Sequence, residues 1–356
     1  MRKWQEPVPL WEFSLLGVAM LYDESSEAWN RLTLFLSRDV LDRRYQARHG
    51  GRLSADKAKE IISNLDQARQ YFSSAASAGV LAGPLEQYYG VLSFSRAIVL
   101  YLDPRAREAT LRQGHGLHAT LPGGSRVENI EMKVRGGTFD ELLAATGNRE
   151  LILVEEPAPG KATSQQWFVR SYPRPQIDTT FSLVDLLARI PALRQHFEEA
   201  FGTMAHCYAG NVHQFMRDLN VTIFRDRFDL PIPKELGVSL GIAATGATET
   251  APSRDLQFRI QIPIGDSIAT YLPNVVTSPM GGQSIVEPFP GGWSLCELAS
   301  YFAAAHVLSM IVRYHPSRWT HLVSRERGDR VLPVLDRMRG LIQTEFVRLG
   351  LREIER

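Results

Sequence analysis

Residues 294–315 read SLCELASYFAAAHVLSMIVRYH, and nothing ionised lies between Glu297 and Arg313. Ser294 with Glu297 spells a capping box, the pattern in which two side chains serve the first free N–H groups of a helix. Pro316 cannot continue that helix and predicts its end. A helix that is apolar on every side is normally buried. The run is too short for a membrane span and contains His306. It therefore predicts a central helix needing partners on all faces, and the rest of the chain must supply them.

The N-terminal third offers such partners. Trp29, Leu32, Leu36 and Val40 recur at helical spacing, and Gly50-Gly51 ends that element. Ser54 is placed to cap a helix whose apolar stripe is Ala58, Ile61, Ile62, Leu65, Ala68 and Phe72. Pro84 sits where a first-turn proline belongs, ahead of Leu85, Tyr88, Tyr89, Leu92 and Val99, and Asp103-Pro104 breaks that helix. Tyr71-Phe72 and Tyr88-Tyr89 fall on helical stripes and read as core.

Past Pro122-Gly123-Gly124 the period changes. Ile130, Met132 and Val134 alternate like a strand, and Thr138 with Glu141 spells a second capping box. Leu151–Val154 and Trp167–Val169 read as strands joined by a hairpin loop over Pro157–Lys161. Phe181–Phe201 reads as helix split at Pro191. Val221–Phe224, Val238–Ile242 and the alternation Leu256, Phe258, Ile260, Ile262 read as strands, with a turn over Thr245–Ser253. A charged amphipathic helix is expected from Leu332 to Leu349. The order predicts an α+β fold. A helical part over residues 1–121 packs with C-terminal helices over 291–356, and a strand-rich part spans 122–290.

Composition narrows the function. The net charge of +1 supplies no global field for nucleic acid or anionic membrane. Two cysteines, Cys207 and Cys296, make neither a disulfide framework nor a four-cysteine zinc site, and His206 with His213 lacks the ligands to complete one. There is no phosphate loop, dinucleotide fingerprint or nucleophile elbow, so no cofactor and no metal are expected. The N-terminus does not lead into a signal-peptide apolar region. A cytoplasmic protein without a membrane partner is the expectation.

Two polar segments stand out. Arg112-Gln-Gly-His115-Gly-Leu-His118 is the densest. A histidine there suits general acid–base work on a ribose hydroxyl, and Arg112 suits a growing phosphorane charge. The plain alternative is a turn whose histidines bond carbonyls and whose arginine caps a helix. The second segment carries Arg313, His315, Arg318 and Trp319 on a bend at Pro316, and could hold a phosphate or a stacked base, or simply fill a packed corner.

Taken in order, Tyr71-Phe72 with Ala75, Pro84-Leu85, Tyr88-Tyr89-Gly90, His115-Gly116-Leu117, and Ser309-Met310 with Arg313-Tyr314, Pro316 and Trp319 resemble the YaaC-like family. That resemblance implies no particular reaction. The spacing of Arg112 and His118 resembles the motif of HEPN ribonucleases, helical bundles that build their site across a homodimer. It implies a metal-independent endoribonuclease of stress response or antiviral defence, with Arg112, His115 and His118 catalytic and RNA or a nucleotide as partner. The competing expectation is a non-catalytic protein that binds a nucleotide, RNA or protein through the same residues.

Overall fold

The computed structural model describes residues 24–123, 126–156, 164–224, 240, 248–249, 255–278, 282–325 and 329–356. The N-terminal helices are α1 (Glu24–Leu32), α2 (Arg38–His49), α3 (Ala55–Ser77) and α4 (Gly83–Leu102). Their ends follow the local chemistry. Gly50 adopts the left-handed conformation (φ 72°) that closes α2. Ser54 caps α3, its hydroxyl accepting from the Lys57 N–H at 3.2 Å. Pro84 lies in the first turn of α4. The buried Lys57 ammonium serves the other end of α4, donating to the carbonyls of Asp103, Pro104 and Ala106 at 2.7, 2.8 and 2.9 Å. These carbonyls belong to the turn that follows α4, and the cation that holds them also meets the negative end of the helix dipole.

Strand β1 (His115–Thr120) follows, in a stretch that the sequence reading treats as helix and turn. It pairs antiparallel with β2 (Glu131–Gly137), and β2 pairs with β5 (Thr180–Ser182), forming a three-stranded sheet. Between them lie α5 (Thr138–Thr146), β3 (Arg149–Glu156) and β4 (Ser164–Ser171); after β5 come α6 (Leu183–Leu187) and α7 (Arg194–Phe201). The Phe181–Phe201 segment thus begins as strand at Phe181 and is divided at Pro191, as its proline requires.

The second sheet runs β10 (Val275–Thr277), β11 (Gln283–Val286), β6 (Cys207–Phe215), β7 (Asp218–Ile223), β9 (Leu256–Gln261) and β8 (Thr248–Glu249), with β3 joining at β6 and carrying β4. Part of the expected Thr245–Ser253 turn is therefore strand, Thr248–Glu249 pairing with Arg259 and Phe258. The expected Pro157–Lys161 loop and most of the Val238–Ile242 strand lie outside the described residues.

The chain closes with α8 (Glu297–Tyr314), α9 (Pro316–Val323), α10 (Leu332–Leu341), a π turn over Ile342–Phe346, and α11 (Val347–Glu355). As its all-apolar surface predicts, α8 is buried from Leu298 to Ser309. It packs on α4, itself buried over most of its length. Trp29, Phe72, Phe94 and Phe346 pack together across α1, α3, α4 and the π turn, with centroid separations of 5.6–6.5 Å. The fold is α+β. One continuous core takes residues from α1 through α11 together with β1, β2 and α5–α7, and a smaller core lies on the second sheet.

Neither capping box closes as the sequence suggests. At α5 the N-cap is Gly137; Thr138 instead donates to the Gly114 carbonyl at 3.2 Å, and Glu141 accepts from the Arg112 N–H at 2.8 Å. At α8 the N-cap is Cys296, and the cap comes from a distant strand. The Cys296 N–H donates to Asn148 Oδ1 at 2.9 Å, and the Glu297 N–H donates to Glu150. Asn148 also donates to the carbonyls of Tyr172 at 3.2 Å and Ser294 at 2.8 Å, and it holds φ at 47°. Burial raises the Glu150 carboxyl above its ordinary range, while the Arg352 guanidinium at 3.2 Å opposes the shift. Burial, then the neighbouring Glu150, pushes Glu297 up to about 7.

Asn148→Ala leaves buried N–H and C=O groups without partners and puts a Cβ-bearing residue other than Asn at positive φ. We expect a loss of about 3–5 kcal/mol, read by chemical denaturation, with Asn148→Asp losing less. For Glu297, a folded-state value above the unfolded one means its contribution is fully present below the unfolded carboxyl range and is lost as pH rises through about 7. The variant Glu297→Gln should flatten the fall in stability between pH 5 and 7; an unchanged slope would contradict the assignment.

Candidate functional site

Three side chains from three distant segments meet inside the main core. Tyr88 comes from α4, His115 from the start of β1 and His306 from α8. Their ring centroids form a near-equilateral triangle: Tyr88 to His306 5.3 Å, Tyr88 to His115 5.4 Å, His115 to His306 5.6 Å. Tyr88 and His306 are 2% and 1% exposed, and His115 is half-buried. Phe302, 6.1 Å from Tyr88 and 5.4 Å from Phe139, closes the apolar side.

Local backbone explains how His115 reaches this position. Gly116 has φ 82°, and a Cβ there would stand 2.6 Å from the Phe139 backbone nitrogen; a Cβ on Gly137 (φ 151°) would stand 2.5 Å from the Gly116 nitrogen. Only glycine permits two chains this close at these angles. The β1–β2 register is irregular between His115 and Leu117, which turns the His115 ring inward.

The cluster is polar and unsatisfied. Tyr88 Oη, His115 Nδ1 and both ring nitrogens of His306 are buried without a hydrogen-bond partner. Buried polar atoms are nearly always paired, and each unpaired one costs about 1–3 kcal/mol. Burial, then the charges of His115 and His118, depresses His306 to about 3. Burial, then Arg313 and Arg96, lowers His115. Burial raises Tyr88. The three groups are neutral rings able to donate or accept hydrogen bonds.

The sequence-designated residues distribute around this point. Arg112 lies in the turn before β1, 61% exposed at its side chain, and its guanidinium pairs with Asp140 at 3.1 Å. His118 is exposed on β1, its Nδ1 3.4 Å from the Thr120 hydroxyl. The Arg112–His118 spacing therefore spans a turn and a strand. Arg313 is exposed near the end of α8, its guanidinium 5.1 Å from the Tyr314 ring, and it acts electrostatically on His115. Of these residues His115 alone enters the cluster; Arg313 lies two turns beyond His306 along α8. His315 and Arg318 are half-buried, and Trp319 is in the core with its indole N–H donating to the Val80 carbonyl at 3.1 Å. Tyr88 and His306 escape sequence reading because a tyrosine or histidine on an apolar stripe looks like core; their unpaired atoms show only in three dimensions. Among the described residues no three His, Cys, Asp or Glu side chains gather to hold a metal ion.

Fold and site together define an α+β protein with a helical core enclosing a neutral histidine–tyrosine cluster. The chain belongs to the YaaC-like protein family, whose model it matches over residues 25–354. No curated protein and no solved structure matches it. No helix among the described residues is long and apolar enough to cross a membrane. Of the segments that carry the family resemblance, Tyr88-Tyr89-Gly90 and His115-Gly116-Leu117 each supply one ring of the cluster.

Because His306 binds its proton more weakly folded than unfolded, its contribution to stability is present above the unfolded histidine range and is lost as pH falls toward 3. His306→Leu removes both unpaired nitrogens. Denaturation at pH 7 should show it as stable as the wild type or more so, by about 1–2 kcal/mol, with a flatter acid limb. A loss of stability at pH 7 would mean the ring is satisfied in the native protein.

Proposed function

We propose that this YaaC-like protein is a non-catalytic binding protein for a nucleotide or RNA-type ligand, with the Tyr88–His115–His306 cluster receiving the ligand's heteroaromatic edge. The observation that carries this reading is the set of four buried polar atoms without partners. A general acid or base works best with a proton affinity near the operating pH. His306, depressed to about 3, and His115, also lowered, are better suited to hydrogen bonding than to proton transfer. Neutral imidazole and phenol groups both donate and accept, which suits the mixed donor–acceptor edge of a base. The rings also offer faces for stacking.

The spacing of Arg112 and His118 favours a second reading, metal-independent RNA cleavage across a homodimer, since both side chains are exposed. It requires Arg112 to exchange Asp140 for a phosphate.

One set of samples separates the two. Wild type, Tyr88→Phe, Arg112→Ala and His118→Ala are each incubated with single-stranded RNA in EDTA, and their melting temperatures are recorded with ribonucleoside monophosphates. The binding reading expects intact RNA and, near a hundredfold excess over Kd, stabilisation of about 2–3 kcal/mol that falls at least fivefold in affinity for Tyr88→Phe. RNA cleavage that disappears in Arg112→Ala and His118→Ala, with circular dichroism unchanged, would replace it with the ribonuclease.

A further inference from the structure

The two most exposed large apolar side chains among the described residues, Met216 at 75% and Ile264 at 85%, lie on adjacent turns at one end of the second sheet. Phe215 pairs with Asp218, so Met216 and Arg217 form the two-residue loop between β6 and β7. Strand β9 runs alongside with Gln261 opposite Asp218, and the Ile262 N–H donates to the Arg217 carbonyl at 2.8 Å. The chain then turns over residues 263–266, closed by the Asp266 N–H on the Pro263 carbonyl at 3.3 Å, with Gly265 at φ 92°. The two turns together present Phe215, Met216, Pro263 and Ile264 to solvent.

The fold does not ask for these residues. Met216 holds φ at 55°, a conformation that hairpin loops fill with least strain by Asn or Gly. So exposed a side chain gains little packing to offset that strain, and Ile264 gains less still. Single apolar residues on a surface are ordinary, but a run of them across adjoining turns is not. Residues that break a local rule without a packing gain mark a place with another use. The charge beside them is positive. Arg259 pairs with Asp218, and Asp266 accepts from the Tyr271 hydroxyl. Arg217, exposed in the loop itself, meets no carboxylate among the described residues.

We infer that this tip docks on the surface of an anionic lipid bilayer, with Met216 and Ile264 entering the headgroup layer and Arg217 meeting lipid phosphates. A convex apex whose side chains stand almost clear of the protein gives a flat protein face little area to cover. A soft interface closes around it, and a cation beside the apolar residues complements its negative surface. Such contact needs no spanning helix, so it replaces the expectation of no membrane partner, which follows from the lack of a spanning segment. With a net charge of +1 the attraction is local, and a few inserted side chains hold the protein weakly and reversibly. The tip is separate from the Tyr88–His115–His306 cluster, and the inference does not depend on what that cluster binds.

The test sediments full-length protein with vesicles of phosphatidylcholine alone and of phosphatidylcholine with about a third phosphatidylglycerol. Binding is expected to the phosphatidylglycerol vesicles, and to fall in about 0.5 M sodium chloride. The double variant Met216→Ser with Ile264→Ser should bind about tenfold more weakly or worse. Arg217→Gln should remove the preference for phosphatidylglycerol. Met216→Asn separates this use from a structural one: Asn tolerates the backbone angle, so the variant should melt no lower than wild type and still bind vesicles more weakly. Wild type that sediments with neither vesicle, or a double variant that binds as wild type does, overturns the inference. Self-association in analytical ultracentrifugation that the double variant loses, without vesicle binding, assigns the tip to a second copy of the chain and overturns it as well.

Discussion

A helix buried on every side has no solvent at its N-terminus, and the rest of this structure answers to that constraint. The first N–H groups of α8 are met by Asn148 and Glu150, which β3 delivers from nearly 150 residues earlier in the chain. Glu150 in turn requires a cation, and Arg352 on α11 provides it. Arg149 on the same strand reaches Glu353, and Arg356 lies beside Glu353 as well. Thus the cap of one helix fixes a strand, and the strand fixes the last helix. Breaking one partner of a buried pair costs far more than the pair contributes, about 3–5 kcal/mol, so these contacts hold the arrangement to one geometry.

The same burial defines the site. Polar side chains on α4 and α8 are carried inside with the helices that bear them. Most find partners: Ser309 bonds the His306 carbonyl at 2.7 Å, Ser95 the Val91 carbonyl at 2.7 Å, and Gln87 the Arg339 carbonyl at 2.9 Å. Tyr88 and His306 do not. Other buried polar atoms also lack partners, Glu86 Oε2 and Gln87 Oε1 on α4 among them, but at the cluster four of them, with His115 Nδ1, lie on three rings that touch, and a gathering of this kind is where stability is given up for something else.

Much of the fold was legible in the sequence because it is written in local periodicity. The apolar stripe of α3, the proline of α4, the division at Pro191 and the all-apolar surface of α8 each state their element within a few residues. What stayed hidden depends on tertiary partners. Strand β1 lies among glycines that signal a turn, and it is a strand because β2 pairs with it. Both capping boxes had the right letters, yet Glu141 and Glu297 found competitors across the fold. In the site, the residue types that announce chemistry, Arg112 and His118, sit at the surface, whereas His306 sits on a stripe whose neighbours are alanine, valine and leucine. Only the geometry shows that His306 and His115 face each other.

The pairing of Arg31 on α1 with Glu355 on α11 has a meaning for biosynthesis. The faces of α1, α3 and α4 that α8 and the π turn will cover emerge from the ribosome long before their partners. At about 5–20 residues per second, the intervening chain takes on the order of tens of seconds to make. During that time the apolar faces of α1, α3 and α4 wait for their cover, so the fold closes only after its last helix has been made.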